Sequence, residues 1–143
     1  MEKLLKIALS QYGVKEIPGE ENNNPVIMRY FNEIEQTWVK NDETSWCSAF
    51  INWCALKAGL EKTDKLTARS WLHIGNRIET PEVGDITILW RVKPEGWQGH
   101  VGIYITNDEN WVYLLGGNQS NQVCIKPYPL NRVLGYRRLL SRS

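Results

Sequence analysis

Several large classes of protein are excluded by what this sequence has little of. It has three cysteines, Cys47, Cys54 and Cys124. An odd number at these spacings is no disulfide framework, and reduced thiols in a protein folded in the cytosol fit it better. It has only two histidines, His73 and His100. With the six-residue gap between Cys47 and Cys54 they match no usual zinc spacing, so neither a metal nor a cofactor is expected. The formal net charge is +1, with no basic run interleaved with aromatics. Recognition of nucleic acid or a membrane surface by bulk charge is thereby excluded. No apolar run is long enough to span a bilayer, and the start, with Glu2 and Lys3 in a polar-studded stretch, lacks the charged-then-apolar order of a secretory leader. Synthesis in the cytoplasm is the expectation. Also missing are internal repeats, low-complexity tracts, a phosphate-binding glycine loop, a serine in a nucleophile elbow and a paired-carboxylate motif.

What is present suits one compact domain over residues 1–143. Hydrophobic residues make up 42% and charged residues 23%, enough for a core without disulfides or metal. Seven tryptophans are many for this length. Most are expected to pack inside, and some to line a groove for an amphipathic ligand.

Periodicity divides the chain into helices followed by strands. Glu2 to Tyr12 reads as a helix stopped by Gly13, and Val14 to Asn23 as a loop. Asn24 and Pro25 form a cap and first position for a helix carrying Ile27, Tyr30, Phe31 and Ile34 on one stripe. A third helix begins near Ser45 and ends at Gly59, with Cys47, Phe50, Ile51, Cys54 and Ala58 as its apolar stripe. Thr67 to Ile74 suggests a short helix. Strands are expected over Ile86 to Trp90, Val101 to Thr106, Trp111 to Leu115, Gln122 to Ile125 and Val133 to Arg138. Helices first and then adjacent strands predict an α+β domain with an antiparallel sheet.

Two residues stand out chemically. Cys47 lies in the first turn of its helix, after the expected cap Thr44 or Ser45. Unpaired N–H groups and the positive end of the dipole favour the thiolate there, and the same N–H groups suit an oxyanion. Cys54, two turns deeper, and Cys124, in a strand, read as packing residues. His100 follows Gly96-Trp97-Gln98-Gly99 and opens a strand, where its imidazole can face a helix terminus and move protons. His73 has no such setting and reads as structural or surface. If the strands pair through the Asn107–Asn110 turn, Asn118 comes near the sheet end carrying His100, with Gln119 the substitute should the register slip.

These residues resemble a known superfamily. Trp46-Cys47-Ser48-Ala49-Phe50, Gly84-Asp85-Ile86, Gly99-His100-Val101-Gly102-Ile103 and Gly116-Gly117-Asn118-Gln119 resemble the NlpC/P60 and CHAP superfamily of papain-like cell-wall hydrolases, in particular its small phage- and bacteria-encoded group. The resemblance covers roughly Leu5 to Arg138. It implies a nucleophilic Cys at the start of a helix packed on a five- or six-stranded antiparallel sheet, a His on a strand, and a third polar residue on the next. Carried over, these are Cys47, His100 and Asn118. It implies hydrolysis of an amide bond in peptidoglycan peptide, as endopeptidase or amidase, at the cell wall or periplasm after release or delivery. Trp46, Trp97 and Gln119 are then expected to contact substrate, with Trp90 as a further wall, and Asp85 to be structural. A monomer is expected, with peptidoglycan as partner and, for a toxin delivered into a competitor, a neutralising immunity protein. Two other readings are a binding module that holds cell-wall peptide without cutting it, and a cysteine acyltransferase or deamidase with another substrate.

Overall fold

A buried helix laid on an antiparallel sheet follows from the sequence pattern. The computed structural model describes residues 2–17, 23–36 and 45–142. The first helix, α1 (Glu2–Ser10), buries Leu4 and Ala8. It ends two residues before the expected Tyr12, and Gly13 then turns the chain at a φ of +91°. α2 (Pro25–Asn32) starts as its sequence demands: Asn24 Oδ1 accepts the N–H of Val26 at 2.8 Å, and Pro25 takes the first position, where no N–H is needed. Ile27, Tyr30, Phe31 and Ile34 are buried.

α3 (Cys47–Ala58) ends on Gly59 in the left-handed conformation at φ +72°. It buries more than the expected stripe. Ser48, Ala49, Asn52 and Ala55 are inside as well, because α1 and α2 cover one side and the sheet the other. A helix wrapped on most sides carries few exposed polar positions. Its two buried polar residues, Ser48 and Asn52, are satisfied by the segment that follows. Ser48 Oγ donates to the carbonyl of Lys65 at 2.6 Å and accepts the indole N–H of Trp71 at 2.9 Å. Asn52 Oδ1 accepts the N–H groups of Thr63 and Asp64 at 2.9 and 3.0 Å.

A 3-10 turn, Ala68–His73, stands where the short helix was expected. Six strands follow: β1 (Asn76–Ile78), β2 (Ile86–Trp90), β3 (Gly99–Asn107), β4 (Trp111–Gln119), β5 (Gln122–Pro129) and β6 (Val133–Arg138). They form one sheet in the order β1-β6-β2-β3-β4-β5, every neighbouring pair antiparallel. The fold is α+β, as expected. β1, three residues with little burial, offers no alternation to read and was not anticipated. Asp85, at the start of β2, is fully buried and accepts both Nε and Nη2 of Arg138 at 2.8 Å, so β2 and β6 are tied by a two-bonded ion pair.

The sheet separates two apolar clusters. Val101, Ile103 and Leu115 face α3, with Phe50, Ile51 and Trp46 in the main core. Leu89, Tyr104, Val112 and Leu114 form a smaller cluster, against which Tyr128 and Tyr136 pack. His100 pairs with Leu89 across β2 and β3, which puts it on the strand face of the smaller cluster, at its open end.

Candidate active site

The site forms where the first turn of α3 meets the start of β3. Cys47 is the first residue of the helix, and its N-cap is Trp46, whose side chain makes no capping bond. Ser45, one of two expected caps, lies one residue too early, and Thr44 lies outside the described residues. The first bond of the helix runs from the N–H of Phe50 to the carbonyl of Trp46. The N–H groups of Cys47, Ser48 and Ala49 therefore have no carbonyl one turn earlier in the helix.

Three groups reach the Cys47 sulfur. Burial pushes the thiol up, but a hydrogen bond from the His100 side chain, the charge of that imidazole, the N–H of Val101 and the Ser45 hydroxyl outweigh it. The net effect holds the thiol below its ordinary value. Cys54 is the opposite case: fully buried in the core, its thiol is pushed well above the ordinary value by desolvation. Cys124 is half-buried, and its sulfur donates to the carbonyl of Gln119 at 3.3 Å. His73 is exposed and lines a different hollow from that of Cys47.

The orienting partner of His100 is Gln119. Its Oε1 lies 2.9 Å from His100 Nε2. The amide cannot be turned round, because its Nε2 donates to the carbonyls of Leu114 at 3.0 Å and Cys124 at 2.7 Å. An oxygen held against Nε2 requires a proton on that nitrogen, which leaves Nδ1 to deal with Cys47. Tyr128 Oη, 3.1 Å from the same Nε2, takes a share of that N–H as a second acceptor. The two rings lie 4.9 Å apart. Burial, followed by the neighbouring thiols of Cys47 and Cys124, raises Tyr128 well above the usual phenol, so its hydroxyl stays neutral.

Asn118 does not hold His100. Its amide donates to Ser45 Oγ at 3.3 Å. The expectation fails through a local irregularity of the strand. β3 and β4 pair Ile103 with Leu115; continued regularly, that register sets Asn118 opposite His100. Between Gly116 and Gln119, however, β4 spends one residue more than β5 does, and Asn118 adopts a φ of +56°. The extra residue is a bulge that turns the next side chain onto the His100 face. Two glycines make this possible. A Cβ on Gly116 would lie 2.6 Å from Gln119 Oε1, and one on Gly117 would lie 2.6 Å from the ring of Trp46 and 2.8 Å from Phe50 Cβ.

Two of the expected substrate contacts are likewise corrected. Trp46 is fully buried, stacked among Tyr30 and Phe50, and its indole donates to Glu16 Oε2 at 2.9 Å. It supports the floor of the site and offers no surface to a ligand. Gln119, 1% exposed, is spent on His100 and two carbonyls. Trp97 is 73% exposed and does border the cleft over Cys47. That cleft, of about 500 Å³, is bounded by Ser45, Cys47, Leu66, Ala68, Arg91 and Trp97. Arg69 fixes the loop bearing Trp97 through the carbonyls of Gln98, Pro94 and Lys93 at 2.9, 2.8 and 3.0 Å. A second hollow of about 320 Å³ continues past His100, and Trp90 lines it.

The influence of Ser45 on the thiol and the place of Tyr128 beside His100 were not anticipated. Tyr128 follows Pro127 and precedes Pro129, a pattern that argues against a strand. β5 is an edge strand, where proline is tolerated, so it runs on past the expected Ile125. Among the described residues no group of three His, Cys, Asp or Glu could hold a metal, and no helix is long and apolar enough to cross a membrane.

Comparison with known proteins agrees with this arrangement. A solved Staphylococcus aureus structure, described as similar to lipoprotein of the NLP/P60 family, superposes with a TM-score of 0.54 at 19% identity. The match covers 99% of this chain and 41% of that one, so this chain spans under half the length of that neighbour. At such identity the likeness is one of fold. No curated protein matches the chain. The CHAP domain model, by contrast, matches residues 39–118, more than half of the sequence, and takes in Cys47 and His100. The chain therefore belongs to the CHAP domain family, whose members are generally cell-wall hydrolases.

Proposed function

We propose that this protein is a cysteine peptidase or amidase that cleaves an amide bond in peptidoglycan peptide, with Cys47 as nucleophile, His100 as acid and base, and Gln119 as the residue that positions the imidazole. The observation that carries the reading is a thiol held below its ordinary value by His100, beside an imidazole whose far nitrogen is fixed by a buried amide. The whole chain forms one catalytic domain, acting as a monomer at the cell wall without a cofactor.

The chemistry follows from the tautomer. Nδ1 of His100 takes the proton of Cys47, giving a thiolate and an imidazolium whose Nε2–H rests on Gln119 and Tyr128. The thiolate attacks the amide carbonyl, and the oxyanion is met by N–H groups of the first turn of α3. His100 returns its proton to the leaving nitrogen as the C–N bond breaks, and a thioester on Cys47 remains. Water enters, gives a proton to His100 and attacks the thioester. A carboxylic acid leaves, and the sulfur recovers its proton from His100. Ser45, to which the Asn118 amide donates, helps hold the resting thiol below its ordinary value.

Product analysis tests this reading. Purified sacculi digested by the wild type should release peptides with a new amino terminus or a free lactyl group, read by mass spectrometry. Folded Cys47→Ala should release none. Undiminished digestion by that variant would remove Cys47 from the mechanism, and intact sacculi after treatment with the wild type would remove the hydrolase reading.

A further inference from the structure

The Cys47–His100 pair divides the cleft into two halves of different chemistry. On the Cys47 side, Leu66, Ala68 and Trp97 give a largely apolar wall. On the His100 side the hollow of about 320 Å³ is basic. Arg91 reaches it from the β2–β3 loop, Lys126 from β5, and Arg132 from the turn before β6, with no Asp or Glu on its lining among the described residues. This is a local excess, since the chain as a whole carries only +1.

None of the three cations is in an ion pair of the described residues, which engage Lys6, Lys57, Lys62 and Arg138 instead. Two are held by aromatic rings. The Arg132 guanidinium lies 5.1 Å from the centre of the Trp90 ring, and Lys126 Nζ 5.9 Å from that of Tyr128. Lys126 also donates to Ser120 Oγ at 3.3 Å. Such contacts orient a cation without neutralising it, so its charge remains available to a ligand. Arg91 borders both halves.

Direction comes from the reaction. His100 hands its proton to the leaving nitrogen, so the amine-bearing half of the substrate departs on the His100 side. We propose that Arg91, Lys126 and Arg132 form a carboxylate-binding subsite for that leaving half, so that the enzyme selects peptides with a free carboxylate close to the released amine. Two guanidinium groups and an ammonium converging on one hollow suit a carboxylate, which a guanidinium can grip through two parallel bonds. The direction rests on the hydrolase reading; the anion-binding hollow does not.

The probes are a peptidoglycan stem tetrapeptide with its carboxylates free and the same peptide with each carboxylate converted in turn to the carboxamide. For the wild type, amidation on the amine side of the cleaved bond should lower kcat/KM by about tenfold or more, as loss of a charge-assisted contact does. Amidation on the acyl side should change it little. Lys126→Gln/Arg132→Gln, and separately the surface variant Arg91→Gln, should cleave free and amidated peptides at nearly the same reduced rate. Indifference of the wild type to amine-side amidation, or full discrimination in all these variants, would overturn the subsite. Binding of the same probes to Cys47→Ala by calorimetry separates the two readings. A preference for the free peptide that vanishes on removing Lys126 and Arg132, found while the wild type leaves every probe uncut, leaves the anion site standing and removes the hydrolase. Equal binding of free and amidated peptides removes the subsite even if the wild type cleaves.

Discussion

Gln119→Ala should damage both stability and chemistry, whereas Asn118→Ala should damage neither much. The Gln119 amide makes three bonds in a buried setting: one to His100 and two to the carbonyls of Leu114 and Cys124. Truncation leaves those partners without it and opens a small void. At about 1–3 kcal/mol for a buried group deprived of its partner, a loss of roughly 3 kcal/mol in unfolding free energy is expected. For the chemistry, the bond to an imidazolium is charge-assisted, of order 1.5–3 kcal/mol, which corresponds to about a 10- to 100-fold fall in kcat/KM. Loss of that bond makes the imidazolium less stable, so the thiolate forms less readily and the pH profile of Cys47 alkylation should move upward. Urea unfolding, peptide hydrolysis and iodoacetamide kinetics across pH read the three effects. Asn118→Ala, which loses only an exposed 3.3 Å bond to Ser45, should keep its activity within about threefold. An active, normally titrating Gln119→Ala beside an inactive Asn118→Ala would refute the argument.

Other perturbations test other contacts. Tyr128→Phe removes one of two acceptors of the His100 N–H and should cost about 1 kcal/mol, roughly a fivefold fall in kcat/KM, with Gln119 still in place; a dead enzyme would mean that the phenol touches substrate directly. Gly117→Ala forces a methyl to within 2.6 Å of the Trp46 ring and should lower stability by about 1–3 kcal/mol in thermal melts, carrying activity down with the displaced bulge. Cys54→Ala should stay fully active at a cost of about 1–2 kcal/mol, whereas an inactive but folded variant would show that the wrong thiol had been assigned. Asp85→Ala should lower stability in denaturant unfolding, because the Glu82 N–H and two Arg138 bonds lose their buried acceptor, while Arg138 keeps Glu82 at 2.9 Å.

The parts of the fold that periodicity controls were readable. β2 and β6 stand where alternation put them, α3 within two residues, and the Asn24-Pro25 start of α2 obeys its local chemistry. Cys47 and His100 were legible because each sits at the end of a regular element, where the helix dipole and the strand direction decide what it can reach. The third residue was legible only as a pair of choices: alternation along β4 selects Asn118, with Gln119 the substitute for a slipped register, and only a bulge in three dimensions selects Gln119. Trp46 was misjudged for a related reason. Composition says that tryptophans abound, but only packing against Tyr30 and Phe50 decides which are inside. Tyr128 was hidden by its flanking prolines, whose meaning changes once β5 proves to be an edge.

The central claim is that His100 makes the Cys47 sulfur anionic below the usual thiol range, and the rate of Cys47 carboxymethylation as a function of pH tests it most directly. The wild type should react with iodoacetamide at a lower pH than an ordinary thiol, whose value is about 8.5, while Cys54 stays inert in the folded protein. In His100→Ala that reactivity should vanish and return only at higher pH. An ordinary thiol profile in the wild type, unchanged in His100→Ala, would contradict the account.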